Sequence, residues 1–172
     1  MPDYLGDIGK LMEAGGPVLL LIAALLLVMW TLVFERLWYF HGALKGDVAA
    51  AMDRWEARAE RHSVRAHQIR EALLSRVTLQ INRNLPMIRA LITVAPLLGL
   101  LGTVTGMIGV FEVLSLSGGG DARSMAAGVS RATIPTMAGM VTALSGVFAN
   151  TYLRRVAERE QQLLADHLTM DH

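Results

Sequence analysis

Four side chains matter first, because they sit in stretches that are otherwise almost wholly apolar: Thr103, Glu112, Arg131 and Thr136. Hydroxyls in an apolar helix suit a face turned toward protein or a narrow aqueous path, and a pure lipid anchor has no need of them. Thr133, Thr142, Ser145 and Asn150 add to that polar density. Bond-making chemistry is not expected. No nucleophile, base and orienting group converge, and no phosphate-binding loop is present. The chain has no cysteine, which removes thiolate and disulfide chemistry. His62 and His67 stand five apart, not at the i, i+4 spacing of zinc-binding helices. They read as solvated residues, and no catalytic residue, metal ligand or cofactor is assigned.

These residues must be held by membrane-spanning helices. The 172 residues are 53% hydrophobic, and the excess is concentrated in three runs. Val18 to Phe34 carries no charge, and Trp38, Tyr39 and Phe40 bring the run to the roughly 20 residues a span requires. Those aromatics suit a membrane interface. The reading is an all-α integral membrane protein with three spans. An outer-surface amphipathic segment (1–16) places Tyr4, Leu5, Ile8, Leu11 and Met12 on one face. Span one (17–40) follows, after a break at Gly15-Gly-Pro17, and then a cytoplasmic helical hairpin (41–89). Span two (90–116), a short Gly-rich periplasmic turn (117–123), span three (124–152) and a cytoplasmic tail (153–172) complete the chain. No basic stretch precedes the first run, so it is read as a permanent span rather than a cleaved signal peptide.

Basic residues set the direction. Ten of the sixteen Lys and Arg fall between Arg36 and Arg89, and Arg154, Arg155 and Arg159 follow span three. This puts the amino terminus outside and the carboxyl terminus inside. In the segment 41–89, Leu44, Val48, Met52, Trp55 and Ala59 recur at helical spacing, as do Ile69, Leu73, Val77 and Ile81. Two helices continuing spans one and two are expected, reversing near Arg61-His-Ser63, with Ser63 as a cap. Pro86 is expected to kink the second or mark its join with span two. The arginines on the other faces suit an anionic leaflet better than nucleic acid.

The last two spans form an antiparallel hairpin. Gly99, Gly102, Gly106 and Gly109 step by three, four and three, so they share one face. In lipid, close backbone approach replaces the hydrophobic force between helices, and a glycine stripe permits it. Pro96, Pro135 and Gly139 join this packing set. With Gly119 as the turn centre, residues whose numbers add up to about 238 lie level. Thr136 then meets Gly102, Thr103 meets Pro135, and the two threonines share a depth. Each hydroxyl has the alternative of bonding a carbonyl of its own helix.

Arg131 is the most expensive residue, at about 2.5–3.5 kcal/mol deep in a span. Glu112 is the only acid within either span of the hairpin. Arg131 is expected to reach Glu112, within one subunit or between neighbours, or to snorkel to the outer surface.

Ala95-Pro-Leu-Leu-Gly-Leu-Leu-Gly-Thr-Val-Thr-Gly-Met107 resembles the second-span signature of the ExbB/TolQ/MotA proton-channel family. Gly128-Val-Ser-Arg-Ala-Thr-Ile-Pro-Thr-Met-Ala-Gly-Met140 is similar to its third-span signature, and Glu35-Arg36 is a less specific match. The short cytoplasmic part looks like the compact ExbB type of TonB systems. The resemblance implies a proton-motive-force-driven stator subunit in the bacterial inner membrane. Five copies would surround two helices of an ExbD-like single-span partner, whose aspartate carries the proton, and drive a TonB-like protein. It also implies pore positions for Thr103 and Thr136, with Arg131 and Glu112 beside the pathway. A TolQ-like motor for envelope maintenance or motility, or a non-conducting scaffold, are the alternatives. One departure is Arg131, where ExbB and TolQ chains commonly have glutamate, so a relay requiring that acid does not carry over, and the arginine would hold either the partner's aspartate or Glu112.

Overall fold

The computed structural model describes residues 4–57, 64–117 and 122–167, with most side chains from residue 16 onward. The amphipathic face of residues 4–12, the reversal with its Ser63 cap, His62, the Gly119 turn centre and the end of the tail with His172 lie outside the described residues or side chains. Every described element is an α-helix. These are α1 (Tyr4–His41), α2 (Ala43–Glu56), α3 (Val64–Asn82), α4 (Leu85–Ser117) and α5 (Ala122–His167). Three helices are long and apolar enough to cross a membrane.

The helices pack as two units. The first joins residues 1–30 to residues 89–147, and the second joins residues 31–88 to residues 148–172.

In the first unit, α1 loses helical geometry at Gly16, whose φ is +64° and ψ −165°. A side chain there is strained, and glycine takes this region at no steric cost. Pro17 follows at the first position of the resumed helix, where a missing N–H matters least. Beyond it Val18, Ile22, Leu25 and Met29 are buried at helical spacing. They meet the hairpin of α4 and α5, whose inner faces are Ile92 and Ala95 on one side and Ala132 and Thr142 on the other. Val18 reaches Gly102 and Pro135, and Met29 reaches Gly146 near Ile92. Leu97, Leu100, Val104 and Ile108 on α4, and Met137, Met140, Val141 and Leu144 on α5, are exposed large hydrophobics. That outward greasiness is what hydrocarbon solvent requires.

In the second unit, α2 packs on α3. Leu44 and Trp55 from α2, Val77 and Ile81 from α3, and Leu153, Ala157 and Leu164 from α5 are buried there. Each large side chain of this kind contributes roughly 1.5–3 kcal/mol when removed from water. The helices do not simply continue the spans. A turn at Gly42 separates α1 from α2, and α3 stops at Asn82. Asn84 then takes φ +65°, a region asparagine tolerates better than most residues. Pro86 falls in the first turn of α4 and so marks the join rather than a kink. The stretch after 152, read from sequence as a tail, is helical to His167.

Candidate functional site

The hairpin register builds the site. Gly99 faces Gly139, Gly102 faces Pro135, and Gly106 faces Ala132. A Cβ on Gly139 would lie 2.5 Å from the Ala95 carbonyl oxygen, and one on Gly99 would lie 2.9 Å from Thr136 Cα. No side chain fits at these crossings, so the backbones touch directly. Gly109 differs from the rest of its stripe. Among the described residues no atom lies within 4 Å of where its Cβ would stand. The tight contact at this level is Gly128 against Val110, the next residue along α4, which the sequence reading did not single out. The small residues 128, 132 and 139 at helical spacing were the available signal.

This close approach brings the two threonines together. Thr103 and Thr136 are half-buried, and their hydroxyls are hydrogen-bonded to each other. Thr136 Oγ1 also donates to the Gly99 carbonyl across the hairpin at 2.8 Å. A hydroxyl has one proton. Thr136 commits it to Gly99, so Thr103 is the donor in the threonine pair. The order runs from Thr103 to Thr136 to the Gly99 carbonyl. The pairing is one residue from the expected register, in which Thr136 met Gly102 and Thr103 met Pro135.

The other hydroxyls behave differently. Thr133 donates to Ser130 O, Ser145 to Thr142 O, and Thr105 to Leu101 O and Gly102 O. These are bonds within their own helices, which need no polar surroundings. Pro96 and Pro135 sit inside α4 and α5 without ending them. The Pro135 ring fills the space beside Gly102.

Arg131 and Glu112 are both exposed, and among the described residues no ion pair joins them. Pairing within one chain is therefore not formed. Asn150 Oδ1 is buried with no hydrogen-bond partner among the described residues.

A second polar cluster lies at the other end of α1. Arg36 is only 2% exposed. It donates to Glu35 Oε1 at 2.6 Å and to the Gln80 carbonyl at 2.9 Å, near the end of α3. Its guanidinium carbon lies 4.8 Å from the Tyr39 ring centre. Glu35 Oε2 accepts from the Asn84 side-chain amide at 2.7 Å. Tyr39 donates to Asp47 at 2.7 Å across the Gly42 turn. Adjacent residues of α1 thus grip both sides of the bend between α3 and α4. Sequence noted the Glu35-Arg36 pair but not its burial, because its partners are distant in the chain.

Three apolar helices, a glycine-tight hairpin and a hydroxyl pair at its crossing define a multi-pass helical membrane protein. The MotA/TolQ/ExbB proton channel family profile matches residues 42–166. The chain belongs to that family. It is 42% identical over 77 residues to the putative biopolymer transport protein ExbB-like 1 of Synechocystis sp., a stretch covering 43% of this chain and 30% of that protein. It is 35% identical over 80 residues to the biopolymer transport protein ExbB of Helicobacter pylori, covering 46% of this chain and 55% of the relative. The match to Synechocystis ExbB-like 3 is 37% over 81 residues, 43% of this chain and 39% of the relative. The matched stretches thus take in between about a third and a half of the relatives' length.

Proposed function

We propose that the chain is the ExbB-type subunit of a proton-motive-force-driven motor in the bacterial inner membrane. Its amino terminus is outside. Five copies enclose two helices of an ExbD-like single-span partner, and the motion passes to a TonB-like protein that energises outer-membrane transport. The observation carrying this reading is the oriented chain from Thr103 through Thr136 to the Gly99 carbonyl. It is a polar seam on a hairpin whose Thr105, Thr133 and Ser145 hydroxyls turn to their own helices.

The seam itself holds no titratable group. Coupling protons to motion requires one, because protonating a carboxylate removes a charge that is costly in lipid. Arg131 carries the opposite sign. The partner's membrane aspartate therefore supplies the ionisable group, and this chain supplies the hydroxyls. One proton moved across 100 mV releases about 2.3 kcal/mol for the cycle.

The test is proton flux in vesicles carrying the chain together with its single-span partner. Flux is expected only with both proteins present, and Thr103→Val or Thr136→Val is expected to cut it several-fold. Undiminished flux in both variants ends the role of the threonines. No flux with both partners present favours a scaffold. Flux together with normal growth of a deletion strain on a receptor-dependent nutrient favours a TolQ-like motor.

A further inference from the structure

Two opposite charges near the hairpin tip are each turned away from the helix that their own chain provides. Gly106 points at Ala132. At 3.6 residues per turn, Glu112 lies about 120° round α4 from Gly106, and Arg131 lies about 100° round α5 from Ala132. Both are exposed, and neither meets the other in the chain. Their surroundings are apolar: Ile108, Phe111 and Val129 are exposed beside them. A lone charge in such company is costly, and an opposite charge offsets that cost only at close range.

We infer that Arg131 of one copy pairs with Glu112 of a second copy of this chain. The inference rests on the multi-copy assembly proposed above. Three features support a second copy as the occupant. The charges are complementary and both belong to this chain, so each copy offers one donor and one acceptor to its neighbours, a heterologous contact that closes into a ring. The heights agree. Arg131 is level with about residue 107 of α4, so Glu112 stands five residues nearer the tip, about 7.5 Å. Copies rotated about an axis parallel to the helices keep that offset. Side chains on α5 lean toward its amino end, which is the tip, so an extended arginine covers the rise. Finally, the surface has room. Gly109, one turn from Glu112, has no described atom within 4 Å of where a Cβ would stand, and Ala127, one turn from Arg131, is exposed. Bare positions beside each charge let a neighbouring backbone come close.

The chain has no cysteine, which makes the test clean. Glu112→Cys and Arg131→Cys are introduced into separate copies of the full chain, the two are co-expressed with the partner protein, and the membranes are treated with a bifunctional thiol reagent about 8–10 Å long, since sites offset by about 7.5 Å lie beyond direct disulfide reach. A cross-linked dimer is expected in the mixture, several-fold above that from a Leu100→Cys and Met140→Cys mixture, and absent from either single variant alone. Assemblies of normal size with no more cross-link than the control overturn the pair while leaving the motor reading intact. A protein that is monomeric in native-like membranes overturns both. A second measurement covers misfolding of the cysteine variants. Glu112→Arg or Arg131→Glu is expected to reduce the assembled fraction several-fold, and the double reversal is expected to restore it. A double variant no better than either single one refutes the pair.

Discussion

Thr136 spans the gap between α5 and α4 by donating to the Gly99 carbonyl at 2.8 Å, and it accepts from Thr103 with the same oxygen. The two threonines are therefore not equivalent. Thr136→Val removes both bonds and leaves the Gly99 carbonyl without this donor. It is expected to cost about 1–3 kcal/mol, the net worth of two lost hydrogen bonds. Thr103→Val removes one bond and is expected to cost about 1 kcal/mol or less. Thermal unfolding in detergent ranks them. Thr136→Ser, which keeps the hydroxyl, should stay near the parent, and the opposite ranking would refute the bond order.

Glycine at the hairpin crossing is there for contact. Gly139→Ala places a methyl 2.5 Å from the Ala95 carbonyl oxygen and forces the backbones apart. Overpacking of this kind is expected to cost about 1–3 kcal/mol. Gly46→Ala in α2 meets nothing within 4 Å. That change is expected to stabilise by up to about 1 kcal/mol through helix propensity. Unfolding midpoints of the two variants should move in opposite directions.

The bend at Asn84 depends on Glu35 and on a positive φ. Asn84→Ala loses the amide bond and strains the backbone, with an expected cost of about 1–3 kcal/mol. Asn84→Gly loses the bond alone and should be the milder change. Hydrogen exchange at the end of α3 and the start of α4 reads the difference. Equal exchange in both variants would remove the backbone from the account.

The far end of α5 is structural. Leu153 is fully buried and Leu164 is 1% exposed. Leu153→Ala and Leu164→Ala are each expected to cost about 2–5 kcal/mol. Limited proteolysis should then cut α5 near Leu164. Unchanged resistance would mean that this stretch packs on nothing.

Much of the architecture was legible in the residues. The three spans follow from length and apolarity, and the hairpin register follows from an antiparallel turn, so the threonine pair was placed to within one residue. What escaped was set by partners far along the chain. Arg36 reads as one more basic residue until the Gln80 carbonyl and Glu35 enclose it. Gly109 continues a perfect stripe, yet among the described residues it is the adjacent Val110 that α5 meets, at Gly128. The final helix escaped because Leu153, Ala157 and Leu164 are sparse among charged residues, and a thin stripe looks like a solvated tail.

Val18 touches Gly102, yet α4 runs fifteen residues further to Ser117, about 22 Å. A bilayer cut to the height of the uncharged stretch of α1 would leave that arm bare along its oily sides. Gathered copies would then raise a turret above the surrounding leaflet. Lipid must climb its wall, or the arms must sheathe one another. Thickness mismatch would then favour the assembly proposed above.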